Sequence, residues 1–89
     1  MKTVLITGAS SGIGKETAIL FSKNNWKVAA TMRNEANLSM FADDKNITTY
    51  LLDVKNHNAI EKCVHQVIQD FGQIDVLVNN AGIYTTNPL

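Results

Sequence analysis

The sequence has almost no cysteine, no long apolar run and no surplus of either charge, and each shortage removes a class of explanation. Cys63 is the single cysteine among 89 residues, so no internal disulfide can form, and a reducing compartment fits. The apolar run near the start, Val4-Leu5-Ile6, is too short for a secretory signal core. No stretch approaches the roughly 20 apolar residues of a membrane-spanning helix. Eight basic residues balance eight acidic ones, with no run of Lys or Arg, so neither nucleic acid nor membrane is expected as a partner. Asn37-Leu38-Ser39 and Asn46-Ile47-Thr48 match the glycosylation acceptor pattern, but without a secretion route both read as chance matches. The expectation is a soluble, cytoplasmic chain.

What is present is ordinary for a globular protein: 45% of residues are hydrophobic and 18% charged. At this length the chain is at most one small domain, burying about 60–65% of the surface its unfolded form exposes. Short apolar runs alternate with segments of helical period. Thr3–Thr7 reads as a strand ended by Gly8. From Gly12 to about Lys23, Ile13, Thr17, Leu20 and Phe21 recur at helical spacing, predicting one apolar helix face. Lys27–Met32 reads as a second strand, Glu35–Ala42 as a helix, Asp43–Asn46 as a turn and Ile47–Leu52 as a third strand. In the next helix Ile60, Val64, Val67, Ile68 and Phe71 share a face, with Asn56 as N-cap and Gly72 as the stop. Ile74–Asn79 is the fourth strand.

The order βαβαβαβ implies parallel strands joined by right-handed crossovers, a doubly wound α/β sheet of Rossmann type. In that arrangement the strands run 3-2-1-4, and the fourth presents an apolar edge where a further strand would continue the sheet. A bare apolar edge is an association hazard. Residues 1–89 are therefore expected to form the N-terminal portion of a single Rossmann-type domain, or a fragment completed by another chain.

The stretch Thr7-Gly8-Ala9-Ser10-Ser11-Gly12-Ile13-Gly14 admits two chemistries. Gly8 to Gly12 fits G-x-S-x-G, which presents a nucleophilic serine in hydrolases. Ser10, Asp53 and His57 or His65 have the chain order of such a triad. That elbow also needs an oxyanion donor from a loop after an earlier strand, and Thr3–Thr7 is the first. The histidines read as solvated helix residues. The alternative is a loop that cradles a dinucleotide pyrophosphate. Gly8 lets the chain turn sharply, Gly12 leaves the backbone open to the anion, and Gly14 permits close helix–sheet packing with Ala18. The helix that starts here directs its unpaired N–H groups and its dipole at the anion, with Ser10 and Ser11 as hydroxyl donors.

The residue that reads the adenosine ribose lies about 20 positions further, at the end of the second strand. Met32-Arg33-Asn34 stands there, with no carboxylate for a free 2′-hydroxyl. Arg33 suits a 2′-phosphate through two charge-assisted bonds and so favours NADP over NAD; a solvated loop arginine is the other reading. Asp53 alone is either a strand-end turn residue or a helix cap.

The Thr7–Gly14 stretch resembles the T-G-x-x-x-G-x-G cofactor loop of the short-chain dehydrogenase/reductases. Leu52-Asp53-Val54 is similar to that family's acidic residue after the third strand, and Asn79-Asn80-Ala81-Gly82 to its N-N-A-G motif after the fourth. The resemblance implies a cofactor site made of Gly8, Ser10, Ser11, Gly12, Ile13, Gly14, Arg33, Asp53, Val54, Asn79, Ala81 and Gly82. In it Asp53 accepts from the adenine amino group and the Val54 backbone flanks the ring. Asn79 braces the sheet through backbone-directed bonds, and Ala81 and Gly82 let the chain pass close to a ribose. A plain turn after the strand is the simpler reading of that last motif.

The resemblance further implies hydride transfer between a nicotinamide and a small carbonyl or alcohol substrate, and it leaves room for a homo-oligomer. The family's catalytic Tyr-x-x-x-Lys pair and upstream serine have no match. Tyr84 is followed at i+4 by Pro88, and Tyr50 by Val54. No catalytic residue and no metal site is assigned. The alternative expectation is a non-catalytic dinucleotide-binding module.

Overall fold

The computed structural model describes residues 1–80, which form one parallel sheet with a helix on each face. Strands β1 (Thr3–Ile6), β2 (Lys27–Met32), β3 (Ile47–Leu51) and β4 (Val76–Val78) are ordered β3-β2-β1-β4. The register runs Val4↔Val28 and Ile6↔Ala30 between β1 and β2, and Val4↔Val76 and Ile6↔Val78 between β1 and β4. Helices α1 (Gly12–Lys23) and α2 (His57–Phe71) are crossovers. This is the doubly wound arrangement expected from the alternation of periods. No helix among the described residues is long and apolar enough to cross a membrane.

Because both faces are covered, the central strands are apolar at successive positions and not merely at alternate ones. Val4, Ile6, Val28, Ala30 and Met32 point into a core beneath α1 that includes Ala18, Phe41 and Ile47. Leu5 and Ala29 point the other way, onto Leu52, Cys63 and Val67 beneath α2. Asn56 caps α2 by accepting from the Ala59 N–H at 3.1 Å, and Gly72 ends it. Of the expected α2 face, Val67 is buried and Ile60, Val64 and Phe71 pack against it, whereas Ile68 stands exposed and Cys63 takes a buried place.

Two expectations are corrected. The apolar face of α1 is not its buried face: Ile13 is 72% and Leu20 is 61% exposed, while Gly14, Ala18 and Ser22 are buried at i, i+4 and i+8. Small residues let the helix lie close on the sheet, and only Phe21 of the expected set packs inward, edge-on to Trp26 with ring centroids 4.9 Å apart. The helix expected over Glu35–Ala42 is a single 3₁₀ turn, Glu35–Asn37, followed by turns. Its bonds are all i→i+3, from Asn37 N to Asn34 O through Ala42 N to Ser39 O. The Asn34 side chain accepts from the Ala36 N–H at 2.9 Å, the local competition that asparagine offers to an α-helix. The tight turns bring Leu38, Met40 and Phe41 onto the core together.

Among the described residues β4 pairs only with β1, and Leu77 is 60% exposed.

The reassigned face of α1 has a measurable consequence. Ala18→Leu is expected to lower stability by about 1–3 kcal/mol through overpacking, and Leu20→Ala by less than about 0.5 kcal/mol. Urea unfolding midpoints compare them; a larger loss for Leu20→Ala would restore the original face.

Candidate functional site

The carboxyl ends of the four strands open onto a cleft of about 700 Å³, lined by Gly8, Ser10, Ser11, Arg33, Asn34, Asn37, Leu52, Asp53, Val54 and Asn80. It lies where the chain order reverses between β1 and β4, the place at which open α/β sheets bind ligands. The loop from β1 to α1 forms one wall. Gly8 and Gly12 have φ of +66° and +58°, left-handed values that suit glycine. Nothing lies within 4 Å of where a Gly12 side chain would be, so the backbone there faces open space. Gly12 thus combines an open approach with a conformational demand that its spacing did not reveal.

Gly14 has a different reason. A Cβ there would overlap the Gly8 carbonyl and lie 2.6 Å from Asn80 Nδ2, so the first turn of α1 sits directly against its own loop. Gly14 is buried and its part in the site is packing, whereas Gly12 and Ile13 line an open hollow outside α1 with Lys15, Glu16 and Leu20.

The start of α1 is electrostatically uncompensated. Its N-cap Ser11 is extended, at φ −158° and ψ 166°, and the Ser11 hydroxyl makes no capping bond. The first intrahelical bond is Lys15 N to Ser11 O at 3.3 Å, and the first turn carries no acidic side chain. The preceding N–H groups and the positive end of the dipole are therefore directed out of the helix toward whatever anion approaches.

On the opposite wall, exposed Arg33 follows β2, and Asp53 and Val54 follow β3. Asp53 resolves into a strand-end turn residue: its Oδ1 accepts from the Lys55 N–H at 3.0 Å, while the cap of α2 is Asn56. A carboxylate has lone pairs beyond that one bond.

The residues after β4 divide. Asn79 Oδ1 accepts from the Thr7 hydroxyl at 3.2 Å, and Asn79 lines an apolar hollow on the α2 side with Leu77 and Cys63. The backbone-directed bond expected of Asn79 is made by its neighbour: Asn80 Nδ2 donates to Gly8 O at 3.0 Å. Ala81 and Gly82 lie outside the described residues, as does Tyr84. Asn34, Asn37, Leu52 and Asn80 line the cleft without having been assigned to it. Asn80 was visible in the N-N-A-G motif, while Asn37 arrives only because the segment after β2 folds as a 3₁₀ turn.

Among the described residues no histidine accompanies Ser10 in the cleft. His57 and His65 are exposed on α2, and neither lines the cavity. Tyr50 donates to Asp70 Oδ2 at 2.6 Å; burial first, and then that bond, push its pKa far above the ordinary value and keep it protonated. Burial likewise raises the Cys63 thiol. Among the described residues no group of His, Cys, Asp and Glu could hold a metal ion.

Comparison with known proteins agrees with the geometry. A family model described as short chain dehydrogenase matches residues 2–89. The 3-oxoacyl-(acyl-carrier-protein) reductase of Thermotoga maritima is 41% identical over 87 residues, which cover 92% of this chain and 35% of that protein. An NADP-dependent 3-hydroxy acid dehydrogenase of Salmonella typhimurium is 43% identical over 82 residues, covering 90% of this chain and 33% of its own length. Among solved structures, ElxO with NADP bound superimposes with a TM-score of 0.87 at 38% identity, covering 99% of this chain and 38% of that one. The chain thus spans about a third of the length of the relatives it matches.

The two glycines are expected to fail differently when altered. Gly12→Ala is strained only by its left-handed backbone, about 1 kcal/mol, whereas Gly14→Ala forces overlap with Gly8 and Asn80 and costs about 1–3 kcal/mol. Denaturant titration tests this ranking, since helix propensity alone predicts that Gly14→Ala stabilises.

Proposed function

This chain belongs to the short chain dehydrogenase family, and on that premise we propose that it is the NADP-binding, N-terminal part of an oxidoreductase that transfers hydride between a nicotinamide and a carbonyl or alcohol carbon. The observation that carries the reading is the cleft itself, with an uncompensated helix N-terminus on one wall and an exposed arginine on the other. Those are the two features that a dinucleotide bearing an extra phosphate needs. Relatives described as NADP-dependent, and a neighbour with NADP bound, support the same choice.

In this reading the N–H groups at the start of α1 and the hydroxyls of Ser10 and Ser11 hold the pyrophosphate. Arg33 pairs with the 2′-phosphate, Asp53 accepts from the adenine amino group, and Val54 flanks the ring. Ala81 and Gly82 pass close to a ribose, and Asn79 braces the sheet from β4 to β1. NADPH, when bound, supplies the hydride. The residues that protonate the developing alkoxide are not among those that resemble the family's motifs. Tyr50 is engaged with Asp70, and neither Tyr50 nor Tyr84 has a lysine at i+4. In this reading the 89 residues supply contacts to the cofactor and no group that protonates the alkoxide.

The test is a pair of dissociation constants. NADPH is expected to bind more tightly than NADH by roughly ten- to a hundredfold, the worth of one charge-assisted pair. Arg33→Asp is expected to erase the difference, and an unchanged ratio removes Arg33 from the assignment.

A further inference from the structure

Asn80 carries no charge for the cleft, yet its side chain lies where the end of β4, the loop after β1 and the start of α1 meet. The peptide unit between Gly8 and Ala9 is held at both ends. Its carbonyl accepts from Asn80 Nδ2 at 3.0 Å, and its N–H donates to Thr31 O at 2.9 Å. Asn80 is itself anchored, because its backbone N–H donates to Val78 O at 3.1 Å, a three-residue turn closing directly off β4. The same side-chain amide forms part of the surface that excludes a Cβ at Gly14. The left-handed Gly8, the start of α1 and the end of β4 are therefore locked together through one amide group.

We infer that Asn80 is a positioning residue for the phosphate loop: its amide clamps the Gly8 carbonyl and so fixes the direction in which the following N–H groups meet a dinucleotide pyrophosphate. This rests on the dinucleotide-binding reading given above and adds a residue to it. The physics is that of a pinned peptide plane. With its carbonyl held, the Gly8–Ala9 unit cannot rotate. Released, a glycine with access to both signs of φ lets the loop sample other directions, and the anion site loses its preorganisation. An aspartate at position 80 has the same shape and no N–H; when ionised, it places a negative charge against the carbonyl oxygen.

The experiment compares the full protein with its Asn80→Asp and Asn80→Ser variants; serine is too short to reach the carbonyl and adds no charge. NADP⁺ binding is measured by titration calorimetry, and exchange of the Ala9 amide by NMR. Both variants are expected to raise the NADP⁺ dissociation constant roughly tenfold, as the loss of one hydrogen bond to a part-buried carbonyl predicts. Both are also expected to speed Ala9 exchange while amides in the centres of β1 and β2 keep their protection. For Asn80→Asp the lost affinity, relative to the unaltered protein at each pH, returns as the pH falls from 8 to 5. The protonated acid then donates to the carbonyl that its ionised form repels, and the neighbouring carbonyl raises its pKa. A purely structural role would not produce that recovery.

Unchanged affinity with unchanged Ala9 exchange overturns the inference, as does a uniform loss of protection across the sheet. If Asn80→Asp does not fold, Asn80→Ser decides by the same two measurements. If the unaltered protein binds neither NADP⁺ nor NAD⁺, it is the dinucleotide reading that fails, and Ala9 exchange still reports whether Asn80 holds the loop.

Discussion

A methyl group has no place between the first turn of α1 and the Gly8 carbonyl, and this close approach sets the position of everything around the cleft. With Gly14 bare, the helix starts directly against the loop that feeds it, and its unpaired N–H groups emerge at the carboxyl ends of the strands. Ala18 and Ser22 continue the approach, so the helix lies close on β1 and β2, with Ile19 and Phe21 packing beside the small-residue seam. A bulkier seam would lift the helix and tilt its N-terminus away from the cleft. The packing and the proposed chemistry therefore share one cause.

That seam explains where the residues could be read in advance and where they misled. The strand order and α2 with its caps follow from apolar periodicity and from the residues at the ends. The three glycines were legible as a phosphate loop because the rival serine-elbow reading of the same spacing had no earlier strand to supply its oxyanion donor. Periodicity failed on α1 because it counts large apolar residues, whereas this interface is built from the smallest ones. Ile13 and Leu20 kept helical spacing yet face outward. It failed again after β2, where Asn34 diverts the backbone into i→i+3 turns that no hydrophobic pattern announces.

Within the cleft, motif reading placed residues better than it described their work. Asp53 stood between two structural parts until the Lys55 N–H and the Asn56 cap separated them. Asn79 and Asn80 are adjacent and chemically identical, so only coordinates could tell that one accepts from a hydroxyl while the other grips a backbone carbonyl. Contacts between residues 72 positions apart leave no local signature. The same holds for the apolar hollow under α2, where Leu5, Leu52 and Leu77 converge from three strands or their ends.

In the proposed function the start of α1 and Arg33 form the two anion sites of one dinucleotide cleft. A crystal structure of the protein with NADP⁺ tests it most directly. Pyrophosphate oxygens are expected within hydrogen-bond distance of backbone N–H groups between Ser10 and Gly14, and the 2′-phosphate on the Arg33 guanidinium. A nucleotide bound elsewhere, or one in this cleft with its pyrophosphate away from the helix start and Arg33 turned to solvent, would contradict it.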